Sequence, residues 1–324
     1  MPNILTPVVS KTKTLLARLE GAASYGTAAT IVGADYLESR NINITPYQVQ
    51  VTDRGIVLPY KGKKAGIAST PNVQVTFDVA LAPSGSAGTA PKWGKLLLAA
   101  GFAETTVANT SVTYSLVSSG ESALTIDYYD AQNKHRITGA RANSLSFKLD
   151  KQGIPLMSFS FLGLYNDVVV ATGANAIPAL DTSGWATEQI VDSRFTTGAI
   201  NGGASVPIAC QSWAFDLGLD TKFLDMPGPQ TSVDIMDRQP KVDLTIVAPP
   251  LATMDPFAWV KNSTAVTGTV VHGVGAGKVC TINYKTRFTN VDIADIEGLK
   301  GYKLSGGLEP VAGAGNDEFS LVLT

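Results

Sequence analysis

Apolar side chains recur at every second position along most of this chain. Val73, Val75, Phe77 and Val79 alternate with Gln74, Thr76 and Asp78, and Leu15, Ala17 and Leu19 alternate with Leu16, Arg18 and Glu20. The same period runs through Val112, Tyr114 and Leu116, through Leu124, Ile126 and Tyr128, and through Leu145, Phe147 and Leu149, followed by Phe159 and Phe161. It returns in Val242, Leu244 and Ile246 and in Phe319, Leu321 and Leu323. Because successive residues of a strand point to opposite faces, this pattern predicts antiparallel strands with one face on a core. The fold is expected to be mainly β.

Two segments break the period. Between Thr89 and Gly101, Trp93, Leu96, Leu97 and Ala100 fall on one face of a helix of about three turns. Thr89 is its expected N-cap, Pro91 lies in its first turn, and Gly101 is placed to end it. In Asp255-Pro-Phe-Ala-Trp-Val260 the acid caps a second helix and Pro256 takes its first position. Trp93, Leu96, Leu97, Phe257 and Trp259 are expected to anchor these helices to the sheets. The competing role for the tryptophans is to stack on a ligand.

The order strand, helix, hairpin occurs twice. Pro71-Asn-Val-Gln-Val-Thr-Phe77 leads to Leu81-Ala-Pro83, the Trp93 helix and Asp150-Lys-Gln-Gly153. Pro240-Lys-Val-Asp-Leu-Thr-Ile246 leads to Val247-Ala-Pro249, the Trp259 helix and Asp295-Ile-Glu-Gly298. The first pair of landmarks is 169 positions apart. This predicts two diverged copies of one β domain, each with one short helix, over residues 1–165 and 207–324. Between them, residues 166–206 hold many Gly, Ala, Ser and Thr and only short strand signals, so an ordered arm lying on a neighbouring subunit is expected. A second extended stretch, Ala22–Ala68, gathers Asp35, Glu38, Arg40, Asp53, Arg54, Lys61, Lys63 and Lys64. It reads as a solvated hairpin face or as a loop between subunits or rings whose charges set register.

Composition narrows the function classes. The 324 residues suit two cores, 44% of them are hydrophobic, only 16% are charged, and the net charge is −2. No basic field for gripping nucleic acid is present. Nothing approaches the roughly 20 apolar residues of a membrane span, and Met1–Val9 has no basic residue before its apolar stretch, so no secretion signal is expected. Cys210 and Cys280 are far apart and lack metal or disulfide spacing. The two histidines, His135 and His272, have no second ligand nearby in sequence, and read as surface or core residues. Gly273-Val-Gly-Ala-Gly-Lys278 is one residue short of a phosphate loop and has Val279 where Ser or Thr would hold magnesium, so it reads as a flexible hairpin turn. Gly85-Ser-Ala-Gly88 lacks the spacing of a nucleophile elbow, and Asn262-Ser-Thr264 is a chance match to a glycosylation acceptor. No catalytic set, cofactor or metal site emerges. A protein of binding or assembly remains, including the alternative of a non-catalytic β-sandwich surface module such as an adhesin or carbohydrate binder.

Three passages carry a family resemblance. They are Leu15–Thr27 with Arg40–Pro46; Val75–Trp93, containing Ser-Gly-Ser-Ala-Gly-Thr-Ala-Pro-Lys-Trp and running on to Leu96-Leu-Leu-Ala-Ala-Gly-Phe102; and Asp237-Arg238 before Leu244–Pro249. Together they resemble the major tail tube proteins of long, non-contractile-tailed bacteriophages of the transposable siphophage type. The similarity extends over most of the chain and weakens between Asn166 and Val206.

The resemblance implies β-barrel or sandwich domains assembled into stacked rings around a channel through which DNA leaves the virion. It implies a virion protein made in the host bacterial cytoplasm. Its partners would be itself, the tape-measure protein and DNA transiently in the lumen, and terminator and baseplate proteins at the tube ends. Rings of six such domains imply three of these two-domain chains, with six chains as the alternative. A channel must not grip DNA, so an acidic or neutral lumen is expected, with Asp127, Asp130, Asp292 and Asp295 as contributors.

Overall fold

The computed structural model describes residues 12–21, 24–228, 231–310 and 315–324; the segment Met1–Val9 and the pair Ala22 and Ala23 lie outside the described residues. The first set of elements is β1 (Lys13–Leu19), β2 (Ser39–Gln48), β3 (Val51–Thr52), β4 (Ile67–Ala68), β5 (Asn72–Ala80), α1 (Gly94–Leu98), β6 (Phe102–Val107), β7 (Ser111–Leu116), β8 (Leu124–Asp130), β9 (Asn133–Asp150), β10 (Leu156–Tyr165) and β11 (Val169–Val170). The second set is β12 (Thr196–Asn201), β13 (Ser205–Ile208), β14 (Cys210–Asp216), β15 (Leu219–Asp225), β16 (Thr231–Arg238), β17 (Lys241–Val247), α2 (Pro256–Lys261), β18 (Val266–His272), β19 (Cys280–Ile296), β20 (Leu299–Leu308) and β21 (Phe319–Leu323). The chain is mainly β with two short α-helices, as the alternation demands.

Pairing reveals the plan. In the first set the order is β1-β8-β9-β10-β5-β2, and in the second it is β12-β18-β19-β20-β17-β14, every neighbouring pair antiparallel. Strand for strand the two orders match. The sets are joined where β14 pairs with the second half of β9, Trp213 opposite Leu149 and Phe215 opposite Phe147. A second join runs through β21, which pairs with β19 on one side and β7 on the other.

The inward faces meet in one contiguous core. Val73, Val75, Phe77, Leu145, Phe147, Leu149, Phe159 and Phe161 from the first set are buried with Trp213, Phe215, Val242, Leu244, Ile246 and Leu304 from the second. At the join, Phe215 stacks on Phe319 with centroids 4.1 Å apart and lies 5.6 Å from Phe147. Removing its ring leaves a cavity between three strands. Phe215→Ala is expected to lower unfolding stability by about 3–5 kcal/mol, read as a fall in the denaturation midpoint.

Several local expectations change. The regular part of α1 is only Gly94–Leu98, and no side chain caps its start; Thr89 instead closes a turn, its N–H donating to the Ser86 carbonyl. The far end is held short because the Ala99 carbonyl accepts from Ala142 of β9. In α2 the reading holds: Asp255 accepts from the Ala258 N–H at 3.0 Å with Pro256 at the first position. Strand β8 is covered on both faces, as is β1 at Leu16, so Leu16, Thr125, Asp127 and Tyr129 are buried as fully as their alternating neighbours.

The stretch expected to lie on a neighbouring subunit is tied to its own chain along much of its length. Its irregular backbone crosses the first set, with the Asp181 N–H donating to Gly33, Lys92 pairing with Asp181 at 3.0 Å, Arg40 pairing with Glu188 at 2.5 Å, and Val191 exchanging backbone bonds with Gln152 and Gly153. These backbone and ionic ties fix the segment together with a few apolar anchors, Val191 in the core and Trp185 packed against it. By Thr196 the chain has entered β12, which pairs with β18.

Candidate functional site

The feature with functional geometry is a sheet, not a pocket. Strands β2-β5-β10-β9-β14-β17-β20-β19 form one continuous antiparallel run of eight. One face supplies the core. The alternate positions make the other face, which is mostly polar, with Leu156, Leu162 and Leu164 of β10 and Val247 of β17 as apolar exceptions.

Register shows how its side chains line up. Arg40, Asp78, Ser158, Ser146, Asp216 and Lys241 stand opposite one another across six strands. A parallel row carries Lys148, Ala214, Asp243, Ser305 and Asn290, and a third carries Asp150, Ser212, Thr245, Lys303 and Asp292. Opposite charges alternate with hydroxyls, so cations and acids neutralise each other locally and no single-sign field forms. Lys148, Asp216, Lys241, Asp243 and Lys303 are exposed.

The pleat divides the four acids expected to act together. Residues three apart on a strand point to opposite faces, so Asp127 and Asp130 diverge, as do Asp292 and Asp295. Asp127 is 1% exposed and bonded twice to Arg136 at 2.7 Å and to Lys134 at 2.9 Å, which neutralises it inside the first set. Asp130 faces His135 at 3.3 Å. Asp292 lies on the polar face opposite Lys303, while Asp295 lies on the other face opposite Lys300. Two further acids on the polar face, Asp216 and Asp243, were legible from the alternation of β14 and β17.

The two ends of the eight-stranded run differ from its middle. β2 pairs with β5 along one edge, and among the described residues no strand pairs its other edge. The far half of β19, Asn290–Ile296, pairs with β20 and has no strand on its other side among the described residues. The contrast with β9 is direct: Leu145, Phe147 and Leu149 are buried under the β14 join, whereas Ile293 is 69% exposed. Open edges of this length are templates for another chain.

The eight charged residues of the Ala22–Ala68 stretch do not act as one group. Asp35 is buried, pairs with Lys95 at 3.3 Å and accepts from the Val32 N–H, so it fixes the chain internally. Burial of Lys95 pulls its pKa down against the opposing pull of Asp35. Arg40 holds Glu188, and Glu38 stands beside Tyr36, whose pKa is raised chiefly by burial and then by that acid. The remaining five, Asp53, Arg54, Lys61, Lys63 and Lys64, sit on the protruding β3–β4 hairpin, where Lys63 pairs with Asp53 at 2.6 Å.

The helix anchors are placed unequally. Trp93, Leu96 and Leu97 are fully buried, and Trp93 Nε1 donates to the Ala82 carbonyl at 2.7 Å. Trp259 is half-buried and stacked on Phe288, while Phe257 is 42% exposed and meets Tyr302 edge-on.

Chemistry-bearing groups are dispersed. His272 is buried beside Thr196 Oγ1 at 2.9 Å, and burial lowers its pKa, keeping it neutral near pH 7. Burial pushes the Cys210 thiol up to about 12 and the Cys280 thiol also upward, so both stay protonated. The glycine run at 273–277 is the turn between β18 and β19; the Gly277 carbonyl accepts from the Gly85 N–H, and a Cβ there would strike Ser86. Among the described residues no three His, Cys, Asp or Glu side chains converge on a metal position.

A mostly polar, charge-balanced face and two sheet edges left unpaired among the described residues suit a β protein that assembles with copies of itself. The model of the family described as phage tail tube protein matches residues 13–277, and the chain belongs to that family. No curated protein matches it. Membership makes it a structural component of the virion, in the tube of the tail, that self-assembles into that tube. No helix of the described residues is long and apolar enough to cross a membrane.

Proposed function

We propose that three copies of this chain close into a ring, that rings stack into the tube of a long non-contractile tail, and that the polar face of the eight-stranded sheet lines the conduit for DNA ejection. One observation carries this reading. The edge of β14 that joins β9 in the middle of the molecule has its counterpart in the open edge of β2, and the stretch of β9 that receives it has its counterpart in the open half of β19. The two free edges are therefore the two halves of a junction that the chain already makes once. Repeating it between copies extends the sheet in one rotational sense and closes a ring with two quasi-equivalent units per chain.

The polar face suits a conduit. Hydroxyls and paired charges of both signs offer phosphates no cationic strip, so DNA gains little from counterion release and slides. Asp292, Asp216 and Asp243 contribute the acids of that wall, each offset by a lysine in its own or a neighbouring row. The core face is occupied by β1, β8, β12, β18 and the helices, which leaves the polar face as the one free to line a channel.

Mass measurement of rings released from assembled tubes tests the stoichiometry. Particles of three chains, and of nine where three rings stay stacked, are expected; particles of six and its multiples alone would overturn the two-unit reading.

A further inference from the structure

We infer that the β3–β4 hairpin clasps the neighbouring chain of the same ring, seating on β19 and β20 as the β15–β16 hairpin seats on β9 and β10 within one chain. The inference rests on the ring reading above and names the contact that locks it.

The two hairpins occupy the same place in their sets. β3–β4 fills the connection from β2 to β5, and β15–β16 fills the connection from β14 to β17. Thr52 precedes Thr221 by 169 positions, the same spacing that separates Pro71 from Pro240 and Val75 from Leu244.

The second hairpin shows what a seated one looks like. Thr221 Oγ1 donates to the Ala142 carbonyl of β9 at 2.7 Å, and Arg141 donates to the Val233 carbonyl at 3.0 Å and pairs with Asp234. Val233 is fully buried, its N–H donating to the Tyr25 hydroxyl at 2.6 Å.

The first hairpin has shorter strands and a longer loop, and no seat among the described residues. Val51, Val57, Tyr60 and Ile67 are 65%, 94%, 67% and 57% exposed, an apolar group that water covers in the isolated chain. Beside them Arg54, Lys61 and Lys64 project into solvent. The matching seat is free at the other end of the molecule. Phe161 pairs with both Val75 and Ala142, and Leu304 pairs with both Leu244 and Val291, so Val291 holds the place of Ala142. On the same face as Val291 lie Ile293, 69% exposed, and Asp295, whose cross-strand neighbour is Lys300. Exposed apolar area on both the hairpin and the seat thus fits a second copy of this chain, and the internal contact supplies the geometry.

Cysteines at Thr52→Cys and Val291→Cys test the contact in the full chain, because Cys210 and Cys280 are shielded. After assembly and mild oxidation, a non-reducing gel is expected to show covalent dimers and trimers and nothing larger, with neither single variant cross-linking. Tubes that form normally yet give no cross-link would overturn the clasp while leaving the tube reading intact; ladders beyond three would place the hairpin between rings and equally overturn it. If the cysteine pair itself blocks assembly, Ile67→Asp decides: an unchanged thermal midpoint with at least a tenfold rise in the concentration needed for assembly is expected, and unaltered assembly would refute the clasp. Failure of the unsubstituted chain to form rings would count against the tube reading itself.

Discussion

Proline at one of two adjacent positions, Asp292→Pro or Ile293→Pro, abolishes ring closure and leaves the monomer folded. Consecutive residues of an edge strand aim their N–H groups to opposite sides, so one of the two donates to β20 and the other toward the open edge. Proline at the inward position removes a ladder bond and destabilises the chain. At the outward position it is tolerated, because that donor meets only water until a neighbour arrives. There it deletes a bond and holds the incoming β2 away, costing about 3 kcal/mol per junction if two to three edge bonds are lost, more than a hundredfold in association. Thermal denaturation of the monomer and sedimentation of the assembled form separate the two effects. If both variants assemble like the unsubstituted chain, the edge of β19 is not where copies meet.

Adding cations to the polar face makes the tube hold DNA. Asp243→Lys with Ser146→Lys places new ammonium groups in two neighbouring rows, neither position bonded to the core. Assembly should be unchanged. Each lysine that meets a phosphate adds about 0.9 to the slope of log affinity against log salt, so with six added per three-chain ring DNA release becomes steeply salt-dependent. Ejection measured at about 50 mM and 200 mM salt should differ by orders of magnitude for the variant and little for the unsubstituted chain. Equal ejection at both salts, with intact tubes, would mean that this face does not line the channel.

The strands were legible because their alternation is set by the pleat, and α2 because Asp255 and Pro256 are local signals whose partners lie within one turn. What lay beyond the sequence was set by distant neighbours. Burial of both faces of β8 comes from β1 and the loop after it, with Ala29 donating to Thr125, and this turned Asp127 from a surface acid into a neutralised buried one. Helix α1 lost its outer turns to ties with β9 that no local pattern encodes. Asp292 and Asp295 stand on opposite faces for a reason visible in the sequence: an odd spacing on a strand separates faces. The sheet order that creates the functional face depends on pairings such as Trp213 with Leu149, far apart in sequence, where no turn fixes the register.

The spacing of 169 positions, by contrast, was readable from Pro71 and Pro240 and persists at Thr52 and Thr221. It relates a junction inside the chain to the unpaired edges outside it, and so carries the reading from fold to assembly.

Electron cryomicroscopy of the assembled tube measures that relation most directly. Three chains per ring are predicted, with β2 of each copy hydrogen-bonded to the Asn290–Ile296 half of β19 in the next and with Asp243 facing the channel. A ring in which those two edges remain apart, or in which Asp243 lies on the outer wall, would contradict it.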